Sequence, residues 1–372
     1  MRTTSILATA ALVGTLALVA TPASAAPLTC GSTVTVSRSL TTDLTCPGDV
    51  PALTLGPGVT LNLKRHRITG PGTGEGIGIL VPPHGDVVIR NGTLAGWGTG
   101  IATGGVGDEP RSGTMGVDRV TVTGSTVGIA VIGKAATVTR SNVTQSRVGY
   151  GRTGITATGS PGVRVSASSF IDSGTGLKLM SSDAEVSGAR FVRAVGIDVT
   201  DGEVRITGST FLDGVLGVTT GKYSTVILES SVLRGNVVGV DAQGSILPRD
   251  PTTVTELSLT GNTFTSNFRA VELTRVNGVI SGNVFRKNES SLFGFAESLT
   301  GLLVADNVLD RNGDGINLFG VNPKTALRGN ISTRNSGWGI YAPGVTDLGG
   351  NRASGNGYEP QCDGVLCERP RS

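Results

Sequence analysis

Leu257 to Leu273, LSLTGNTFTSNFRAVEL, is one copy of a unit that recurs through most of the chain. It alternates apolar and polar residues at Leu257-Ser258-Leu259 and turns at Gly261-Asn262. It then places Phe264, turns again and resumes alternation at Val271-Glu272-Leu273. Two-residue alternation broken by Gly–Asn corners is the chemistry of short strands and turns, not of helix. Aligned on Leu259, the column reads Leu63, Ile89, Val122, Val138, Val165, Val186, Ile206, Leu228, Leu259, Ile280, Val304, Leu327 and Leu348. Five residues later a second apolar column includes Ile68, Leu94, Val127, Val143, Phe170, Phe191, Phe211, Phe264 and Phe285. After it a Gly returns, followed by an apolar–x–apolar run such as Gly176-Leu177-Lys178-Leu179.

Three short strands per copy, repeated end to end, call for one elongated solenoid rather than two globular domains. Like strands of successive copies pair in parallel, so each copy is one coil. The expected fold is therefore all-β, a single-stranded parallel β-helix of about 13 coils. Asn262, Asn283, Asn307, Asn330 and Asn351 share one corner of the coil. Asn accepts the left-handed backbone of a sharp corner, and amides stacked in register can hydrogen-bond as a ladder.

The composition agrees. Gly contributes 57 residues and aromatics only 4%, which suits many corners. The net charge is +3 with both signs interspersed, so a nucleic-acid partner has no support.

Residues 1–25 read as an export signal: Arg2, an apolar run from Ile6 to Ala20, then Ala23-Ser24-Ala25 as the cleavage site. No second apolar stretch follows, so a secreted protein without a membrane span is expected. Residues 26–55 read as an N-terminal cap, 56–356 as the β-helix and 357–372 as a C-terminal cap or tail. The four cysteines allow three pairings. The ends of a long rod are far apart, which favours Cys30 with Cys46 and Cys362 with Cys367, one staple at each end. A monomer is expected.

These coils resemble those of right-handed parallel β-helix proteins with the pectate-lyase-like fold. The opening LNLKRHRITGPGTG is similar to the first coil of exported bacterial members, which usually carry Asn-Gly where this chain has Lys64-Arg65. The resemblance covers roughly residues 55 to 356 and implies a right-handed coil. That fold carries lyases, hydrolases, epimerases and non-enzymatic surface proteins.

Two features bear on function. The longer insertions follow the Gly-apolar-x-apolar strand: Thr103 to Gly116, Gln243 to Thr253 and Gly320 to Lys324. They place loops along one edge of one sheet, where binding commonly sits. A further irregular coil is expected at Asn288 to Ser298. The outward positions of the same sheet read Ala102, Ala130, Thr156, Lys178, Asp198, Thr219, Asp241, Glu272, an unclear position, Asn317 and Tyr341. Asp241 and Glu272 fall on adjacent coils, about 4.8 Å apart at the backbone. Like charges so placed repel, which calls for a cation, a shared proton or an arginine such as Arg249 or Arg269.

By the resemblance, Asp198, Asp241 and Glu272 would be acid–base or metal carboxylates. Asp241 and Glu272 would hold Ca²⁺ if a cofactor is used, and Lys178 or Arg249 would act as base or clamp. Carboxylates about 5 Å apart would also suit a retaining glycosidase. Arg249, Asp250, Asn317 and Tyr341 are the candidate binding residues. Trp97 and Trp338 sit at corners, where they either pack over Gly or stack on sugar rings.

The Asn-Thr-Asp, Gly-His-Gly, Asp-Pro-His and Arg-x-Pro-x-x-Arg runs of polysaccharide-active relatives are absent. The leading expectation is a non-catalytic exported scaffold that binds a glycan or another partner. A polysaccharide lyase, hydrolase or epimerase is the alternative.

Overall fold

The computed structural model describes residues 26–72, 74–104, 111–144, 152–244, 254–295, 299, 301–320 and 323–368. All its regular structure is strand, wound into a right-handed parallel solenoid of about 14 turns. Each turn supplies one strand to each of three sheets, as in Thr255–Thr260 (sheet 1), Thr263–Thr265 (sheet 2) and Arg269–Thr274 (sheet 3). Every pairing is parallel, and sheet 3 runs unbroken through 15 strands. At about 4.8 Å per coil the rod is roughly 65 Å long. Sheet 3 begins at Ser32–Val34 and ends at Cys362–Asp363, so both terminal segments contribute strands to it. Cys30 is bonded to Cys46 and Cys362 to Cys367, as expected.

The interior is a column of apolar side chains flanked by two polar ladders. Phe170, Phe191 and Phe211 stack at 4.9 and 4.8 Å between centroids, and Phe264 and Phe285 at 4.8 Å. Sheet 3 strands beside Phe191 and Phe211 open with Gly because nothing larger fits, whereas Ala270 and Ser291 hold the same place in later coils. A Cβ on Gly176 would stand 2.5 Å from the Phe191 ring and one on Gly196 2.4 Å from Phe211.

The expected Asn ladder is present. The backbone N–H and side-chain N–H of Asn262 both donate to Asn283 Oδ1, at 2.8 and 3.0 Å. The pattern repeats through Asn307, Asn330 and Asn351, all buried. Upstream the column uses serine: Ser141 N–H donates to Ser168 Oγ and Ser209 N–H to Ser231 Oγ, both at 3.1 Å.

A second ladder, not anticipated from the sequence, lines the next corner. It runs through Asn236, Asn267, Asn288, Asn312, Asn335 and Asn356 and ends on Gln361 Oε1. Each member lies five residues after a member of the first ladder.

The structure corrects the alignment in five places, one of them Val127, which belongs to sheet 3 opposite Thr99 and Thr153. Val117, not Val122, pairs with Ile89 and Val138. Val122 belongs to sheet 2, opposite Leu94 and Val143. Both columns are apolar and five residues apart, so apolarity alone could not separate them. Leu61, not Leu63, pairs with Ile89, because Lys64-Arg65 adds two residues to that corner. Both adopt left-handed φ values, 47° and 69°, keeping the conformation that Asn-Gly takes without strain. Asp347 rather than Leu348 pairs with Leu327, and Leu348 is exposed. The stretch after Phe285 is regular: Ser290–Phe295 is a sheet 3 strand between Arg269–Thr274 and Asp314–Phe319, and Asn288 belongs to the second ladder.

One buried cation also went unread in the sequence. Lys134 is wholly enclosed and donates to the carbonyls of Pro82, Gly85 and Ser112 at 3.2, 2.6 and 3.1 Å. It ties together three chain segments at the corner where the first long insertion leaves the rod.

Asn307→Ala strands two buried donors of Asn283 and the carbonyl of Ile280. It should cost at least about 3 kcal/mol in urea denaturation. Asn307→Ser, the residue type used upstream, should cost less.

Candidate functional site

Sheet 3 is read from its outward columns. The central column runs Lys178, Asp198, Thr219, Asp241, Glu272, Phe293, Asn317, Tyr341 and Asp363 in unbroken register. The expected stripe is therefore real, and its unclear position is Phe293. The insertions at 105–110, 245–253 and 321–322 lie outside the described residues, and Arg249 and Asp250 with them. Their flanking residues Thr103, Gln243 and Phe319 all end sheet 3 strands.

The carboxylates here differ from those on the rest of the rod. Elsewhere on the rod several are matched with arginine on a neighbouring coil. Arg193 donates to Asp172 at 2.6 and 2.9 Å, Arg164 to Glu185 at 2.9 Å and Arg334 to Asp310 at 2.7 Å. On sheet 3, among the described residues, only Glu272 is held by an arginine, and that arginine is on its own strand: both Glu272 oxygens accept from Arg269 Nη1 at 2.9 and 2.8 Å. Both oxygens of Asp241 accept from the Gln243 amide, at 2.8 and 3.0 Å. Among the described residues no hydrogen bond or ion pair reaches Asp198, although Lys178 lies in register with it. Burial pushes the Asp198 carboxyl above its ordinary value, with the Lys178 charge opposing. Burial also raises Asp241; the Gln243 hydrogen bond and the Arg269 charge oppose it, and the Glu272 charge adds to it.

Beyond Glu272 the same face turns aromatic. Phe293 lies edge-on to Phe295 and Phe319, at 5.8 and 5.7 Å. Phe319 meets Tyr341 at 5.7 Å, and Trp338 contacts Tyr341 at 4.7 Å and Tyr358 at 5.3 Å. Six aromatic residues thus form one row along the last coils of a chain that is only 4% aromatic. Phe295 and Tyr358 are each 53% exposed and Phe319 38%. The Arg269 guanidinium lies 5.0 Å from the Phe293 ring centre, joining the row to the carboxylates. Between Phe293 and Tyr341 in the ladder, Asn317 is 5% exposed. Its nitrogen donates to Asp314 Oδ2 at 2.9 Å, while its oxygen has no partner.

Calcium takes six to eight oxygen ligands. Here the oxygens of Asp241 and Glu272 already face N–H donors, and no group of three ligand-type side chains gathers among the described residues. The side chains as placed do not fit that ion.

Asp198, Asp241, Glu272, Lys178, Asn317 and Tyr341 therefore share one face. The aromatic row was missed except for Tyr341 and Trp338, because the coil carrying Phe293 and Phe295 was read as irregular. The two tryptophans are not equivalent. Trp97 is buried and donates to the Ile68 carbonyl at 3.1 Å, whereas Trp338 belongs to the row.

Residues 76–245 match the family model described as a right handed beta helix region. No curated protein matches the sequence significantly. Among solved structures the chain is similar to mutants of the tailspike protein of E. coli bacteriophage HK620 in complex with a pentasaccharide. One has TM-score 0.51 and 14% identity, over 85% of this chain and 68% of that one. A second has TM-score 0.50 and 13% identity over the same shares. A periplasmic alginate epimerase is similar at TM-score 0.32 and 10% identity, over 80% of this chain and 77% of that one. The tailspike likeness bears on the fold alone.

The raised carboxyls give a pH test. A folded-state pKa above the unfolded value means that ionisation burdens the folded chain more than the unfolded one. That burden is absent when both states are protonated and grows as pH rises through the raised value. Asp198→Asn/Asp241→Asn should therefore raise the urea midpoint at about pH 7. The gain should shrink as pH falls toward the ordinary value of 3.8.

Proposed function

We propose that this is an exported, non-catalytic β-helix protein that binds a polysaccharide along the outward face of sheet 3. The aromatic row beside half-buried carboxylates carries the reading. Exposed rings in a line offer flat apolar surfaces to successive sugar rings, and flanking polar groups take the hydroxyls. Two cystines are compatible with an oxidising compartment outside the cell. The tailspike structures, complexed with a pentasaccharide, support the reading by analogy of fold.

A second reading, a retaining glycoside hydrolase, has one observation in its favour. Asp241, with its raised pKa, lies in register with Glu272, whose oxygens are both held by Arg269. Two adjacent carboxylates in unlike environments are the acid and nucleophile pattern of such enzymes.

Titration calorimetry against a panel of glycans separates the readings. Phe319→Ala and Trp338→Ala should each weaken binding of the recognised glycan by about fivefold or more, with no product formed. Unchanged affinity in both variants would count against the face. Turnover that disappears in both Asp241→Asn and Glu272→Gln would establish the hydrolase instead.

A further inference from the structure

We infer that this face selects a glycan bearing ammonium groups and no carboxylates, bound without a bridging metal ion. The inference rests on the glycan-binding reading and names its ligand class.

Charge comes first. Among the described residues, the outward face of sheet 3 carries Asp198, Asp241, Glu272, Asp314 and Asp363 against Lys178 and Arg269. Arg269 is taken by Glu272. A ligand ammonium beside Asp198 or Asp241 can make the direct ion contact that, among the described residues, neither Lys178 nor Arg269 makes with them. A uronate would instead bring its own carboxylates against these five. Its usual remedy, a shared calcium ion, meets side chains whose oxygens already face N–H donors.

Asn317 adds a separate requirement, for a hydrogen-bond donor. A carboxylate only accepts, so the Asn317 nitrogen must be the atom that faces Asp314. That fixes the amide and leaves its oxygen, nearly buried beneath the aromatic row, wanting a donor. Ammonium and hydroxyl groups donate; a carboxylate cannot. The rings add a third preference. Their faces attract cations, and Phe293 already holds one guanidinium at 5.0 Å.

The test is titration of the whole secreted chain at low salt and about pH 6, where amino sugars remain largely charged. Four probes are used: a deacetylated chito-oligosaccharide, its fully N-acetylated counterpart, an oligogalacturonate, and the oligogalacturonate with Ca²⁺. The deacetylated probe should bind about fivefold tighter than the acetylated one for each carboxylate engaged. Neither oligogalacturonate sample should bind. The gap between the two chito-oligosaccharides should close at about 1 M salt, where the screening length is near 3 Å. It should also close in Asp198→Asn/Asp241→Asn, whose folding is checked by its urea midpoint.

Tighter binding of oligogalacturonate, with or without Ca²⁺, would overturn the inference while leaving a glycan-binding face intact. So would equal affinity for the two chito-oligosaccharides, or a preference that survives in the double variant. Binding of none of the four removes this inference, and failure across the wider glycan panel removes the reading beneath it.

Discussion

Hydrogen bonding between one coil and the next is the interaction on which everything else depends. A single coil buries almost nothing by itself, and its backbone groups have no partners within it. Stacking satisfies them in three parallel sheets, and at two corners the asparagine amides continue the same bonding through side chains. Those corners must stay tight for the amides to meet. The tightness explains the left-handed residues at the turns, the glycines that open sheet 3, and the flat aromatic rings that fill the interior in register.

Much of this was legible in the sequence because stacking imposes period. A residue that must meet its counterpart one coil later recurs at a nearly fixed interval, and so the apolar columns, one Asn ladder, the terminal cystines and the acidic stripe could be read directly. What failed was phase. Val122 was put one column early because two apolar columns lie five residues apart. The second ladder carried the same signal at that same offset, but it begins beside turn residues that vary. Phe293 and Phe295 were hidden because an apolar–x–aromatic run facing solvent does not look like a strand with one wet face. Lys134 left no trace, since its three partners are backbone carbonyls drawn from distant segments.

The rod's three faces are not chemically alike. On two of them several carboxylates pair with arginines from neighbouring coils. The third leaves charge unmatched, half-buries it, and continues into exposed aromatic rings beside the roots of the inserted loops. Such a surface costs stability in isolation, and a scaffold this regular can bear that cost because the stacked interior beneath it does not depend on what the outer residues are. The position of each outward side chain is set by the pitch of the coil, so the face is pre-organised over several coils at once.

The ladders also have a direction. Between neighbouring asparagines donation runs toward the C-terminal end, while each Nδ2 also donates back to a carbonyl of the preceding coil, so every amide oxygen in the ladder is reached from the coil before it. At the last rung of the second ladder Asn356 finds no further asparagine, and the longer arm of Gln361 reaches back to supply the missing oxygen. During synthesis, then, each new coil satisfies the one before it, and the terminal glutamine closes the series. The same polarity makes the coil a unit of inheritance. A whole coil gained or lost between two asparagines, 21 to 24 residues apart in sequence, leaves both ladders continuous and both ends closed. Outer faces of different length can arise on one rod without redesign of its interior.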